Sequence, residues 1–122
     1  MLHLRAERVG AFPDLDFPRV IWIGLSDREG KLLELQRAVE TACTEFTKEE
    51  PERRFAGHVT LGRAKRINPR ERRTLGELLA AMGQRFFGEW ETSEIELMRS
   101  QLLPQGAQHS SVERFRLGPA QP

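Results

Sequence analysis

The run Val20-Ile21-Trp22-Ile23-Gly24-Leu25 is continuous, apolar and rich in β-branched and aromatic side chains. It reads as a central strand covered on both faces. Directly after it the period changes. Leu32, Leu35, Val39, Ala42, Cys43 and Phe46 recur at spacings of three and four, which marks a helix with one buried stripe. Ser26 and Glu29 match a capping box at its start. A strand that feeds such a helix commits the chain to a sheet with helices packed on it.

The rest of the chain repeats this alternation. Leu2, Leu4, Ala6 and Val9 interleave with charged residues as an opening strand, ended by Gly10-Ala11-Phe12-Pro13-Asp14. The acidic stretch Glu49-Glu50-Pro51-Glu52 predicts a loop into a further strand that carries His58. A second helix opens with Asn68 as cap, Pro69 in the first turn and Glu71 at the third position. Leu75, Leu78, Leu79 and Met82 form its inner face, and Gly83 its stop. Ile95-Glu96-Leu97-Met98 reads as a strand, residues 101–111 as a loop around Pro104-Gln105-Gly106, and Val112 to Leu117 as a last strand. The fold class is therefore α+β, with α/β-like alternation: an antiparallel or mixed sheet with two helices against it. The length of 122 residues fits a single domain over residues 1–117, with 118–122 as a frayed tail.

With 39% hydrophobic residues the core is modest, and a net charge of +1 points to no partner. The distribution of charge says more. Between Arg53 and Arg73 lie eight basic residues against one acid, Glu71, and His58 sits inside that window. Such a local field draws in a phosphate-bearing ligand, although a solvated helix face is the ordinary reading of an arginine run. Cys43 is the sole cysteine, which excludes an internal disulfide framework and fits a reduced, cytoplasmic setting. Its place on the apolar side of the first helix predicts inert packing. No CxxC pair or His/Cys ligand cluster occurs, so no metal and no cofactor are expected. No apolar run approaches the roughly 20 residues of a membrane helix, and a soluble protein is expected.

The segment Arg54-Phe55-Ala56-Gly57-His58-Val59-Thr60-Leu61-Gly62-Arg63 carries the chemistry. Alternation along a strand puts His58 and Thr60 on one face, with Val59 and Leu61 behind as an apolar backing. An imidazole that moves a proton and a hydroxyl that donates to a phosphoryl oxygen suit a phosphate ester. Each residue alone has an ordinary structural reading, as a partly buried strand histidine and a good strand former. Trp22 reads as core. His3, with Arg5 two residues on, reads as an exposed strand residue, and His109 as a surface loop histidine.

Taken in order, Gly10-Ala11-Phe12-Pro13, Pro18 to Gly24, Phe55 to Arg63, and Ile95 to Ser100 followed by Pro104 and Gly106-Ala107 resemble the 2H phosphoesterases. The branch they resemble is the RNA 2′,3′-cyclic phosphodiesterases, historically called 2′-5′ RNA ligases. The resemblance implies part of a two-lobed, pseudo-symmetric fold whose site uses two His-x-Thr motifs. One histidine serves as base towards water, the other as acid towards the leaving oxygen, and the threonines hold the phosphate. This chain resembles the second motif and the sequence around and after it, so His58 and Thr60 carry over as catalytic residues. Arg63 and Phe55 carry over as substrate contacts, Arg63 only if the strand bends, because strict alternation turns it to the opposite face. The implied function is hydrolysis of RNA 2′,3′-cyclic phosphate ends, or of cyclic nucleotides, to 2′-phosphates. The second histidine then comes from a homodimer partner or a complementing N-terminal fragment. A binding module that holds a nucleotide or RNA end without cleaving it is the alternative.

Overall fold

The computed structural model describes residues 1–50 and 55–118. Pro51, Glu52, Arg53 and Arg54, with the tail from residue 119 on, lie outside that set. They include the end of the expected acidic loop and two of the arginines of the basic window. The chain is α+β, as the alternation predicts. It divides into two compact units, one spanning His3–Trp90 and the other combining Met1–Leu2 with the residues from Glu91 onward.

The larger unit is built on a sheet of four strands. β1 (Leu2–Phe12), β2 (Val20–Ser26), β3 (His58–Arg63) and β4 (Phe86–Thr92) lie in the order β3-β2-β1-β4. The β1–β2 and β2–β3 pairs are antiparallel. One face packs on helix α2 (Pro69–Ala81), where Val9, Ala11 and Leu79 are buried with Ile21, Ile23, Leu75 and Met82 against them. The helix starts as its sequence dictates. The Asn68 side chain accepts from the Glu71 N–H at 2.7 Å, and the Glu71 carboxylate accepts from the Asn68 N–H at 3.1 Å. Two of the orphan donors at the helix start are thereby satisfied. Leu78, expected on the inner face, is exposed instead.

Helix α1 (Lys31–Cys43) departs further from expectation. The pattern Ser26-x-x-Glu29 does not cap it. The Ser26 hydroxyl is taken by Glu7 on β1, donating to its Oε1 at 2.6 Å, and the helix begins only after Gly30, whose φ of 72° ends the preceding turn. Asp27 does the capping. Its carboxylate accepts from the backbone N–H of Glu29 at 2.8 Å and of Leu32 at 2.7 Å. The apolar stripe is not buried as its spacing predicts: Leu32 and Leu35 are half-buried or more open, while Val39, Ala42, Cys43 and Phe46 do not enter a core. Cys43 is therefore a free, exposed thiol rather than a packed one. Together with Phe55 and the residues after the helix, this face lines an open groove.

The Asp27 cap has a pH signature. Burial raises its carboxyl pKa, but the N–H donors of Leu32, Glu29 and Lys31 outweigh that and hold it below the ordinary value of 3.8. A depressed carboxylate contributes stability above its unfolded-state pKa and loses it as pH falls through the folded-state value. Asp27→Ala is thus expected to cost about 1 kcal/mol near neutral pH, as loss of a helix cap does. The gap from wild type should close as pH falls below 3.8 and through the depressed folded-state value, which urea denaturation across pH checks.

The smaller unit is a hairpin, β5 (Glu94–Leu103) and β6 (Gly106–Arg116), paired antiparallel from Glu94–Arg116 to Leu103–Gly106. Residues 101–111, expected as a loop, are mostly strand. The turn is confined to Pro104-Gln105, with Gly106 at φ 131°. Strand β4 is an element the hydrophobic pattern does not announce.

Candidate functional site

Two β-bulges decide which side chains share the open face of the larger unit. Residues directly opposite each other in an antiparallel pair project to the same side. In β2–β3 the partners are Gly24–His58, Trp22–Thr60, Ile21–Gly62 and Val20–Arg63, so Leu61 is an extra residue on β3. Val20, Trp22 and Gly24 alternate on one face of β2. His58, Thr60 and Arg63 therefore all project from that same face. The bulge supplies the bend that strict alternation lacks.

A second bulge lies in β1, where the register passes from Ala6–Leu25 to Val9–Ile23. Arg8 occupies it with φ 70°. It is signalled in the sequence by two consecutive charged residues, Glu7 and Arg8, where alternation calls for one. Beyond it Gly10 and Phe12 join the open face, and the Trp22 ring lies over Gly10. A Cβ on Gly10 would stand 2.4 Å from the ring.

These residues enclose a cavity of about 330 Å³. Its walls include His58, Phe55, Trp22, Phe12, Arg8 and Asp27. The Phe12 ring meets His58 edge-on at 5.1 Å and leans on Trp22 at 5.4 Å. Trp22 is half-buried and forms a cavity wall, which corrects its reading as core. β2 is accordingly covered on one face only. The apolar backing behind His58 is also thinner than expected, since Val59 and Leu61 are 48% and 58% exposed. Thr60 projects from the same face as His58, and its hydroxyl has no hydrogen-bond partner among the described residues. Arg63 lines a neighbouring pocket rather than the His58 cavity.

The imidazole is held in a defined state. His58 Nδ1 lies 2.9 Å from the carbonyl oxygen of Ala56. A carbonyl only accepts, so Nδ1 carries the hydrogen and, in the neutral ring, Nε2 bears the lone pair. That tautomer leaves Nε2 free to take a proton or, once charged, to give one. His3 and His109 are engaged elsewhere: His3 Nε2 lies 3.1 Å from Glu89 Oε2, and His109 Nδ1 lies 2.9 Å from the Ser100 hydroxyl on the hairpin. Glu89 is held below the ordinary carboxylate range first by His3 and then by Arg5, whose guanidinium is 3.0 Å away. Among the described residues no group of three or more His, Cys, Asp or Glu side chains stands where it would hold a metal ion. None of their helices is long and apolar enough to cross a membrane.

The chain is similar to known proteins in sequence and in fold. A family model described as the 2'-5' RNA ligase superfamily matches residues 2–102. The chain is 37% identical over 110 residues to an RNA 2',3'-cyclic phosphodiesterase of Methanothermobacter thermautotrophicus, covering 88% of this chain and 56% of that protein. It is 37% identical over 119 residues to an RNA 2',3'-cyclic phosphodiesterase of Aquifex aeolicus, covering 95% of this chain and 61% of that protein. The crystal structure of TT0787 of Thermus thermophilus is similar in fold, with a TM-score of 0.66 and 28% identity. That match covers 94% of this chain and 60% of TT0787. The chain thus spans less than two thirds of the length of these relatives.

Proposed function

The chain belongs to the 2'-5' RNA ligase superfamily, and on that premise we propose that its open sheet face is the phosphate-handling part of an RNA 2′,3′-cyclic phosphodiesterase site. The observation that carries the reading is the shared face of His58, Thr60 and Arg63, with His58 Nδ1 tied to Ala56 and Nε2 without a hydrogen-bond partner among the described residues. In the reaction, water adds to phosphorus, the bond from phosphorus to the 3′ oxygen breaks, and a 2′-phosphate with a free 3′ hydroxyl remains. His58 Nε2 takes the proton of the attacking water or gives one to the departing oxygen. The Thr60 hydroxyl donates to a phosphoryl oxygen, and Arg63 places a fixed positive charge on the same side. Phe55, Phe12 and Trp22 offer the cavity an aromatic wall against which a nucleobase stacks.

His58 is the one imidazole among the described residues that line this cavity. The second proton carrier is therefore assigned to another copy of the chain or to a further segment. The test is hydrolysis of an oligoribonucleotide that ends in a 2′,3′-cyclic phosphate, with products resolved by mass and by 2′ versus 3′ position. Release of the 2′-phosphate supports the reading, and a 3′-phosphate product overturns it. Tight binding with no product supports the non-catalytic RNA-end module, which the single imidazole favours.

A further inference from the structure

Arg8 stands at the bulge of β1 with φ 70°, in the left-handed region that side chains seldom enter. The neighbouring strand shows where its side chain goes. A Cβ built on Gly24 would lie 4.0 Å from Arg8 Nη2. Gly24 is paired directly with His58, so that Cβ would project from the His58 face. The Arg8 guanidinium is therefore on that face too, across the bare backbone of Gly24 from the imidazole, and both residues line the same cavity.

The charge of Arg8 is uncommitted. Its side chain makes no hydrogen bond or ion pair with a described residue. The nearby carboxylates have other partners. Glu7 accepts from the Ser26 hydroxyl at 2.6 Å and lies 3.5 Å from Arg5. Asp27, the one acid among the described residues that line the cavity, caps α1 through the N–H groups of Glu29 and Leu32. Arg63 lines the neighbouring pocket instead. Arg8 is thus the one fixed positive charge among the described residues around the His58 cavity. Gly24 keeps the space between the two groups open, since a methyl group there would meet the Glu7 carbonyl oxygen at 2.9 Å and the Trp22 ring at 3.4 Å. A strained backbone that delivers an unpaired cation to an open slot beside an imidazole is strain of the kind that functional sites hold.

We infer that Arg8 holds the terminal phosphate over Gly24, opposite His58, and makes this cavity bind the phosphate monoester product more tightly than the cyclic diester. The inference rests on the reading of His58 as the terminal-phosphate site and adds a specificity to it. A 2′,3′-cyclic phosphate carries one negative charge, whereas a 2′-phosphate carries about 1.5–2 near pH 7. A guanidinium without a counter-charge therefore attracts the monoester about twice as strongly. It also donates charge-assisted hydrogen bonds to the oxygen that ring opening adds to phosphorus.

The test measures binding of a nucleoside 2′-phosphate and of the matching nucleoside 2′,3′-cyclic phosphate by calorimetry at low salt. Arg8→Gln is expected to weaken the 2′-phosphate about tenfold or more, as loss of a hydrogen bond between charged groups does. It should weaken the cyclic phosphate only about threefold, because half the interaction energy is the square root of that factor. Arg8→Lys keeps the charge and is expected to restore most of the preference for the monoester. Arg8→Gly is expected to bind as Arg8→Gln does, with a melting temperature equal to or above that of the wild type, because glycine accepts φ 70° without strain. Unchanged 2′-phosphate affinity in Arg8→Gln overturns the inference, as does an equal loss for both ligands. A melting temperature that falls together with binding in Arg8→Gly overturns it too, since the arginine then props the bulge. Inorganic phosphate that binds as tightly as the nucleoside 2′-phosphate also overturns it, because the aromatic walls then play no part. His58→Ala separates the two claims. A loss at Arg8 with His58→Ala silent on both ligands upholds the Arg8 site and overturns the reading of His58. A loss at His58 with Arg8→Gln silent does the reverse.

Discussion

His58→Ala is expected to lower hydrolysis of a terminal 2′,3′-cyclic phosphate by about 10²–10⁴-fold, the range over which a positioned acid or base contributes. The fold should hardly notice. His58 is exposed and begins a strand, its one polar contact among the described residues is local, and its ring touches Phe12 edge-on. A surface substitution of this kind stays within about 0.5 kcal/mol. The separation of a large kinetic effect from a small thermal one distinguishes a proton carrier from a structural histidine. If the melting temperature falls with the rate in His58→Ala, the imidazole was packing rather than chemistry. Thr60→Val refines the test, because it keeps the branched shape that suits a strand and removes only the hydroxyl. Loss of one hydrogen bond to a charged phosphoryl oxygen is worth about 1.5–3 kcal/mol, so a drop of roughly one to two decades in rate is expected from Thr60→Val, smaller than that from His58→Ala. The ranking depends on both groups facing one ligand. Equal melting curves with a larger loss at Thr60 than at His58 would reverse the roles.

How much of the molecule is legible in the sequence depends on the range of the interactions concerned. Helix α2 can be read because Asn68, Pro69 and Glu71 satisfy one another within a single turn. The face shared by His58 and Thr60 can be read because the alternation of a strand is also local. Helix α1 shows where that logic stops. Ser26 and Glu29 match the local pattern, but the Ser26 hydroxyl has a better partner in Glu7, 19 residues earlier, and Asp27 takes over the cap. Arg63 needs the extra residue at Leu61, and that is visible only once β3 is laid against β2. The hairpin is half legible. Ile95 to Met98 is apolar enough to read as a strand, whereas Gln108, His109, Ser110 and Ser111 carry no hydrophobic period, and their strand is defined by backbone pairing with β5. Trp22 defeats a sequence reading because an apolar run gives no hint that one of its faces is left open. The spacing of Leu2, Leu4, Ala6 and Val9 does hold the trace of the β1 bulge, in a step of three after two steps of two.

That bulge leads to the second large effect. Gly10→Ala is expected to destabilise the protein by about 1–3 kcal/mol, the usual result of inserting a methyl group into filled space, and to damage the His58 cavity with it. The added Cβ would lie 2.4 and 2.5 Å from Cζ2 and Cη2 of Trp22. Those atoms belong to a rigid ring, not to the free end of a flexible chain, so the whole indole must turn. Phe12 blocks that turn, with its ring centre 5.4 Å away, and Phe12 in turn supports His58 at 5.1 Å. The indole Nε1 adds to the constraint, since it is already buried without a hydrogen-bond partner among the described residues. Displacement thus passes from Gly10 through two aromatic rings to the imidazole. For a domain of this size the melting temperature should fall by roughly 4–12 °C. The fluorescence of Trp22, read in a Trp90→Phe background, should shift at temperatures where the variant is still folded. Affinity for a nucleoside phosphate should fall in step with that shift. Retained affinity with an unchanged tryptophan spectrum would mean that β1, rather than the ring, gives way, and that the aromatic wall does not position His58.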